Sequence, residues 1–174
     1  MGREILVDGY NVIKNGASFR SIEVRNLAAA REALITQMVS KFRHTPHKIT
    51  IVFDGDGNSE QTLHDRRICI IYSKRGETAD SVIARLTTEL RMANREVEMY
   101  SDDGEVRYAV MSQGGTAHQT VQLITHLNAP SKDVAARHHH RARMKRRLGI
   151  DPNYDPDAEP EYPHPKKKSS HKRR

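Results

Sequence analysis

The stretch Ile5-Leu-Val-Asp-Gly-Tyr-Asn-Val12 decides the fold of this chain. A short apolar run leads directly into Asp8, and a glycine, a tyrosine and an asparagine follow at once. The apolar run is typical of a buried strand, and open α/β sheets bind ligands just outside the carboxyl ends of their strands. Asp8 therefore marks a candidate functional site at the edge of a sheet.

Strand and helix patterns alternate along the rest of the body. Predicted strands cover residues 4–7, 48–53, 68–72 and 97–100, and predicted amphipathic helices cover residues 22–42, 79–93 and 117–127. Residues 105–111 fit a short helix that turns into a fifth strand. The polar, glycine-bearing stretches 8–21 and 55–67 are predicted loops. This alternation predicts an α/β domain of three layers (α/β/α), with a mainly parallel sheet covered on both faces.

Charge divides the chain into a neutral body and a basic C-terminal quarter. Its 174 residues include 29 Lys+Arg against 22 Asp+Glu, a net charge of +7. Residues 132–174 hold 13 basic and 6 acidic side chains, so the entire excess lies there. Basic extensions of this kind typically bind polyanions. We predict a domain over residues 1–130 and a basic, largely disordered extension over 131–174, with a helix over 133–148 and disorder over 149–174.

Several classes of protein are disfavoured by the sequence. No apolar run approaches the length of a transmembrane span, and no signal peptide precedes the first strand. The single cysteine, Cys69, cannot form a disulfide within one chain, which fits a reducing compartment. We therefore expect a cytoplasmic protein without a membrane partner.

Acidic residues recur where the predicted strands end. Asp54 and Asp102 follow strands as Asp8 does, whereas Asp103 is adjacent but is expected to point elsewhere. Because parallel strands share one carboxyl edge, these side chains should meet there. Hard oxygen ligands without a Cys/His set favour Mg²⁺ or Mn²⁺, and such an ion activates water for attack on a phosphodiester. Each aspartate taken alone could equally cap the next helix or turn.

Further candidates flank the same edge. Glu77 and Asp80 lie at the start of the helix that follows the third predicted strand. Asn11 could orient a phosphate or a water, or could stabilise the turn after Asp8. Basic side chains that could contact RNA phosphates include three near this edge and five in the predicted C-terminal helix: Lys14, Lys74, Arg75, Arg141, Arg143, Lys145, Arg146 and Arg147. Each of these could also be an ordinary solvated side chain.

Four motifs together resemble a known family. Val7-Asp-Gly-Tyr-Asn-Val12, Val52-Phe-Asp54, Gly76-Glu-Thr-Ala-Asp80 and Ser101-Asp102 are similar to the YacP-like branch of the NYN domains, which are relatives of the PIN and FLAP nuclease folds. The resemblance runs from about residue 5 to residue 127. It implies a PIN-like domain that cuts RNA with one or two Mg²⁺ or Mn²⁺ ions. The best-understood member of this family is a ribosome-associated bacterial endonuclease that cuts messenger RNA in the ribosomal A site.

The resemblance also implies roles for individual residues. Asp8, Asp80 and Asp102 correspond to metal ligands, and Asn11 and Glu77 correspond to supporting catalytic residues. Asp54 and Asp103 are possible additions to the site. The chain departs from the family pattern at Asp103-Gly-Glu105, where an acidic residue followed by glutamine is expected, and in the stretch after Asp54. Residues 132–174 lie beyond the resemblance.

Three functions follow from these observations as hypotheses. The first is a metal-dependent endoribonuclease that acts on messenger RNA in association with the ribosome. The second is a non-catalytic RNA-binding or ribosome-binding protein on the same fold. The third, a phosphatase of the haloacid-dehalogenase type, is disfavoured because Gly9 and Tyr10 follow Asp8 where an Asp-x-Asp motif is required.

Overall fold

The computed structural model describes residues 2–65 and 68–130, together with Arg141 and Met144. All the strands and helices given below belong to one compact unit, Met1–Ala129. Arg141 and Met144 are helical. The rest of the predicted helix over 133–148, and the predicted disordered segment over 149–174, lie outside the described residues.

Six strands and six helices make up the described body. The strands are β1 (Glu4–Asp8), β2 (Lys48–Gly57), β3 (Gln61–Asp65), β4 (Ile68–Lys74), β5 (Val97–Tyr100) and β6 (Thr116–His118). The helices are α1 (Gly9–Asn15), α2 (Ala17–Glu23), α3 (Leu27–Phe42), α4 (Ala79–Met92), α5 (Gly104–Ser112) and α6 (Thr120–Asn128).

The sheet has the strand order β3-β4-β2-β1-β5-β6. Its pairs are parallel except that of β3 with β4, which is antiparallel. From the central strand β1 the chain adds β2 and then β4 on one side, and it later adds β5 and β6 on the other. The strand order therefore reverses between β1 and β5. Open α/β sheets bind ligands at such a reversal, beyond the carboxyl ends of the strands.

Helices cover both faces of the sheet, because apolar side chains of β1 alternate between two cores. Ile5 and Val7 pack with α1, α2, α3 and α6 on one face. Leu6 packs with α4 and α5 on the other. All five residues of β1 are buried, as expected for a central parallel strand. The predicted three-layer α/β/α class with a mainly parallel sheet is confirmed.

The prediction of a loop over residues 8–21 was wrong, because this stretch forms two helices. Asp8 is the N-cap of α1, and its side chain accepts a hydrogen bond from the backbone N–H of Asn11. Gly16 separates α1 from α2, which ends near Val24. Asn26 then caps α3, so the helix predicted from residue 22 begins at Leu27 instead. Side-chain capping, which the hydrophobic pattern does not register, sets the starts of α1 and α3.

The prediction of a loop over residues 55–67 was also wrong for residues 55–57 and 61–65, which form strands, while residues 66 and 67 lie outside the described residues. Strand β2 continues to Gly57, and β3 pairs with β4 to extend the sheet by one antiparallel edge strand. Gly55 permits the close approach of β2 to β4, because a Cβ atom there would lie 2.1 Å from the carbonyl oxygen of Ser73. The polar composition of this stretch reflects an edge hairpin with little burial, which a hydrophobic pattern cannot distinguish from a loop.

The C-terminal part of the body differs from the prediction in its boundaries. Residues 104–112 form α5 throughout, and the next strand, β6, lies at Thr116–His118. The last helix begins at Thr120 instead of Ala117, because Ala117 belongs to that strand. A three-residue edge strand is too short to leave an alternating pattern.

Substitution of Gly9 tests the packing that fixes the start of α1. A Cβ atom at Gly9 would lie 2.2 Å from Cε1 of Phe53, whose ring is fully buried. We expect Gly9→Ala to lower the free energy of unfolding by about 1–3 kcal/mol through overpacking. The matched control is Gly104→Ala, since nothing lies within 4 Å of a Cβ atom there. Chemical denaturation of both variants measures the difference, and equal stabilities would contradict the steric explanation.

Candidate active site

The aspartate that ends β1 is held by side chains from two neighbouring segments. Asp8 is 7% exposed, and its Oδ1 accepts the backbone N–H of Asn11 at 3.0 Å. The Asn11 amide donates to Oδ2 of Asp8 at 2.9 Å and to Oγ of Ser101 at 3.0 Å. Ser101, which is fully buried, donates in turn to Asp8 Oδ2 at 3.4 Å. This network fixes the carboxylate at the strand-order reversal between β1 and β5.

Ser101 was not among the predicted site residues. Its Oγ also accepts the backbone N–H of Asp103 at 3.1 Å, so it joins the end of β1 to the segment after β5. The only sequence signal for it is its position directly before Asp102. A hydroxyl that both donates and accepts can bridge two backbone segments in this way.

Asp80 is the point at which the acidic side chains of this edge converge. It lies in the first turn of α4, behind the N-cap Thr78. Burial is the largest cause that raises the pKa of its carboxyl group. Four neighbouring carboxylates raise that pKa further: those of Asp8, Asp103, Asp54 and Glu105. The fold has thus brought together acidic residues that the sequence spreads over almost one hundred positions.

Asp102 lies at the same edge but faces a different set of partners. Its Oδ2 accepts from the side-chain amide of Asn15 at 2.6 Å and from the hydroxyl of Thr120. Its Oδ1 accepts a hydrogen bond from the backbone N–H of Thr120 at 2.9 Å. This bond satisfies the first N–H group of α6. Asp102 is not among the carboxylates that raise the pKa of Asp80, whereas its neighbour Asp103 is.

The other acidic candidates accept hydrogen bonds from helix N-termini or pair with a basic side chain. Asp54 accepts the backbone N–H of Ala79 at 2.7 Å, at the start of α4. Asp103 is the N-cap of α5. Glu77 lies 3.9 Å from Nε of Arg85, an arginine that also pairs with Glu60. Both alternatives that the sequence left open, capping and clustering, therefore apply to the aspartates of this edge.

The predicted basic residues of the body lie on separate elements. Lys14 lies in the last turn of α1, Lys74 ends β4, and the backbone N–H of Arg75 donates to the carbonyl oxygen of Gly57 at 2.7 Å. The side chains of all three are exposed, as is that of Arg141. The remaining four predicted contacts, Arg143, Lys145, Arg146 and Arg147, lie outside the described residues.

The donor set at this edge consists of hard oxygen atoms, which suits Mg²⁺ or Mn²⁺. Within residues 2–65 and 68–130 and at positions 141 and 144, no three His, Cys, Asp or Glu side chains are arranged to ligate one ion. Asp8, Asp54, Asp102 and Asp103 each accept a hydrogen bond from a backbone N–H group of a helix.

A family model described as the YacP-like NYN domain matches residues 5–157. The chain belongs to this family. NYN domains are part of the PIN-like nuclease superfamily, which supports a nuclease role related to RNA. PIN-like nucleases generally depend on divalent metal ions. The match extends past residue 130, where the sequence predicted the domain to end.

Relatives of this NYN domain are known in Bacillus subtilis. The chain is 24% identical over 135 residues to the uncharacterized protein YacP of strain 168, an alignment that covers 76% of this chain and 79% of YacP. Its fold resembles the crystal structure of a mutant of Rae1 (YacP) with a TM-score of 0.63, 25% identity and 81% coverage of each chain. A second Rae1 (YacP) structure matches with a TM-score of 0.63 and 24% identity, covering 86% of this chain and 84% of Rae1.

None of the helices in the described ranges has the length and apolar character needed to cross a membrane.

The raised pKa of Asp80 predicts a stability that depends on pH. An acid whose pKa is higher in the folded state destabilises the fold once it is ionised, and the cost grows as the pH rises from the ordinary value of 3.8 through the raised pKa. Below 3.8 both states are protonated and the cost is absent. With EDTA present, we expect Asp80→Asn to raise the Tm at pH 7 and to lose this gain as the pH falls through the raised pKa.

The control for this measurement is Asp56→Asn. Asp56 is an exposed carboxylate of β2 that does not contribute to the raised pKa of Asp80. Thermal unfolding of the two variants and the wild type over a pH series should show a pH-dependent gain only for Asp80→Asn. A gain of the same size at every pH would mean that Asp80 does not carry the electrostatic cost.

Proposed function

We propose that this protein is a metal-dependent endoribonuclease that hydrolyses RNA phosphodiester bonds. The observation that carries the proposal is the convergence of four carboxylates on Asp80, at the strand-order reversal of a domain from a nuclease superfamily. Carboxylates that raise the pKa of a neighbouring acid, as these do for Asp80, favour a cation beside it. The edge of the sheet is also open enough for a polymer substrate, since Asp54, Asp102 and Asp103 are all exposed.

The proposed cofactor is Mg²⁺ or Mn²⁺, with Asp8, Asp80 and Asp102 as its ligands. Such an ion would activate a water molecule and stabilise the charge that develops on the phosphate. Asn11 would hold the carboxylate of Asp8, because its amide and backbone N–H groups both donate to it. Glu77 would be a supporting catalytic residue just before α4, where it pairs with Arg85.

Asp103 competes with Asp102 for the third place in the ligand set. Asp103 acts on the pKa of Asp80, whereas Asp102 accepts three hydrogen bonds from Asn15 and Thr120. A metal ion would have to compete with those donors for the carboxylate of Asp102. Asp54 could contribute a further oxygen atom, since only its Oδ1 is directed to Ala79.

The proposed substrate is messenger RNA in association with the ribosome, which would place the protein in the cytoplasm. The net charge of +7 derives from residues 132–174, while the preceding residues are neutral. RNA affinity would therefore depend strongly on the C-terminal basic residues and on the salt concentration.

A non-catalytic RNA-binding or ribosome-binding protein is the second candidate. The observation that favours it is the absence, in the described part of the chain, of three side chains already arranged as metal ligands. Cleavage and binding assays on the same preparation separate the two candidates.

The first prediction for this function concerns the carboxylates. We expect Asp8→Asn and Asp80→Asn to lower the rate of RNA cleavage by more than about 100-fold, because a bound metal ion contributes several kcal/mol to the transition state. RNA affinity should change little. Asparagine caps a helix about as well as aspartate, so Asp8→Asn should preserve α1. Cleavage of labelled RNA in Mg²⁺, Mn²⁺ and EDTA measures the effect.

Two further variants identify the third ligand. If Asp102 binds the metal, Asp102→Asn should lose cleavage while Asp103→Asn keeps it, and the opposite result would assign the ligand to Asp103. Full activity in both Asp8→Asn and Asp80→Asn, with EDTA also without effect, would exclude the proposed chemistry. RNA binding without cleavage in either metal would favour the second candidate.

The second prediction concerns the basic C-terminus. Residues 158–174 lie beyond the family match and hold six Lys+Arg and two Glu. We expect their deletion to weaken RNA binding and to flatten its dependence on salt, because fewer counterions are released from the RNA. Cleavage at saturating RNA should be unchanged. Binding isotherms at several salt concentrations measure both effects, and superimposable curves would show that this segment does not bind RNA.

A further inference from the structure

A pocket of about 590 Å³ lies beside the candidate active site. It is lined by residues of α1, α3, the continuation of β2, β3 and the end of β4, and Asp54 is one of them. The volume falls within the range of about 300–1,000 Å³ that ligand pockets occupy. Residues 55–57, which were predicted to belong to a loop, continue β2 and form part of this lining.

Arg31 is held in this pocket by two tyrosines. Its Nη1 donates to the hydroxyl of Tyr10 at 3.0 Å, and its guanidinium carbon lies 5.5 Å from the centre of the Tyr72 ring. No acidic side chain in the described ranges forms an ion pair with Arg31. Its charge is therefore not neutralised by a carboxylate of the described residues.

An aromatic stack fixes the positions of both tyrosines. The ring of Tyr72 stacks on Phe53 with the centroids 5.5 Å apart, and the ring of Tyr10 meets Phe53 edge-on at 5.1 Å. Phe53 is fully buried in the sheet. Arg31, Tyr10, Phe53 and Tyr72 thus form a closed ring of contacts, which orders the guanidinium plane before any ligand arrives. Pre-ordering of this kind lowers the entropic cost of binding.

We propose that this pocket binds one unpaired nucleobase of an RNA chain, stacked on the guanidinium group of Arg31. The inference rests on the proposed function, because it takes RNA as the substrate. Proteins that read single-stranded RNA stack bases on aromatic rings and on arginine planes. The pocket offers such a plane, backed by Tyr72, next to the carboxylates that would act on the neighbouring phosphodiester.

The polar groups of the pocket suit a base better than a phosphate. Two carboxylates, those of Asp54 and Asp56, line it and would repel a phosphate group. The same carboxylates accept hydrogen bonds, as the N–H groups on the edge of a base require. Ser59 and Gln61 line the pocket as well and can donate or accept. The pocket would therefore position the RNA through one base and leave the phosphates to the exposed basic residues.

Abasic substitution in the RNA provides the test. Short single-stranded RNAs, each lacking the base at one position, are bound to the wild-type protein in EDTA so that cleavage is blocked. One position should show a loss of affinity of about five- to one-hundred-fold, the range expected for one stacked base. In Arg31→Lys, which keeps the charge but loses the planar group, that loss should shrink to almost nothing.

Two variants accompany this measurement. Arg43→Lys is the matched control, since it makes the same change in an exposed arginine just past the end of α3, about 18 Å along the helix from Arg31. It should keep the wild-type profile. Tyr10→Phe removes the hydroxyl that accepts from Arg31 and keeps the ring, so it should reduce the position-specific loss in part. Thermal unfolding confirms that all variants are folded.

The outcomes distinguish the proposed base-binding pocket from the proposed nuclease activity. A position-specific loss that Arg31→Lys abolishes, without cleavage in Mg²⁺ or Mn²⁺, supports the pocket and contradicts the nuclease. Cleavage with identical abasic profiles in the wild type and Arg31→Lys supports the nuclease and overturns the pocket. A wild-type profile without any sensitive position, or no RNA binding by the wild type, also overturns the pocket.

Discussion

The hydrogen bonds between carboxylates at the carboxyl edge of the sheet and helix N-termini organise this structure. Four helices begin near the carboxyl ends of the parallel strands, and each directs free backbone N–H groups towards that edge. Asp8, Asp54, Asp102 and Asp103 accept these N–H groups from α1, α4, α6 and α5. The same hydrogen bonds fix where these helices begin, and they bring negative charge to one edge of the sheet. Fold and candidate site are therefore built by one set of contacts.

This dual use explains why the carboxylates tolerate one another. A helix N-terminus carries a partial positive charge, which offsets part of the repulsion among acidic groups. Asp80 shows where the compensation is incomplete, because burial and its four neighbours still raise its pKa. The candidate site thus retains an electrostatic cost, and perturbed pKa values of this kind cluster at functional sites.

The sequence predicted the parts of the fold that depend on hydrophobic periodicity. Buried β1 and the amphipathic α4 leave strong patterns, and the three-layer class follows from their alternation. The helices near Asp8 and the β2–β3 hairpin leave weak patterns, because side-chain caps and edge pairing specify them instead. The strand-end rule predicted that Asp8, Asp54 and Asp102 lie at one edge, and the start of the helix after the third predicted strand added Asp80. It could not decide how Asp102 and Asp103 divide their contacts, since that depends on Asn15 and Thr120 from other elements. Ser101 belongs to the Ser101-Asp102 motif but was given no role, because a buried serine carries no pattern of its own.

The contact between Gly9 and Phe53 has a consequence for how the protein can evolve. Gly9 lies directly after Asp8, yet the limit on its side chain comes from a phenylalanine of the neighbouring strand that also supports the aromatic stack beside the site. The limit at Gly9 is one of space, whereas the limit at Asp8 would be one of chemistry if the proposed metal site is correct. A larger residue at position 9 would require a smaller residue at position 53. We therefore expect substitutions at the two positions to occur together.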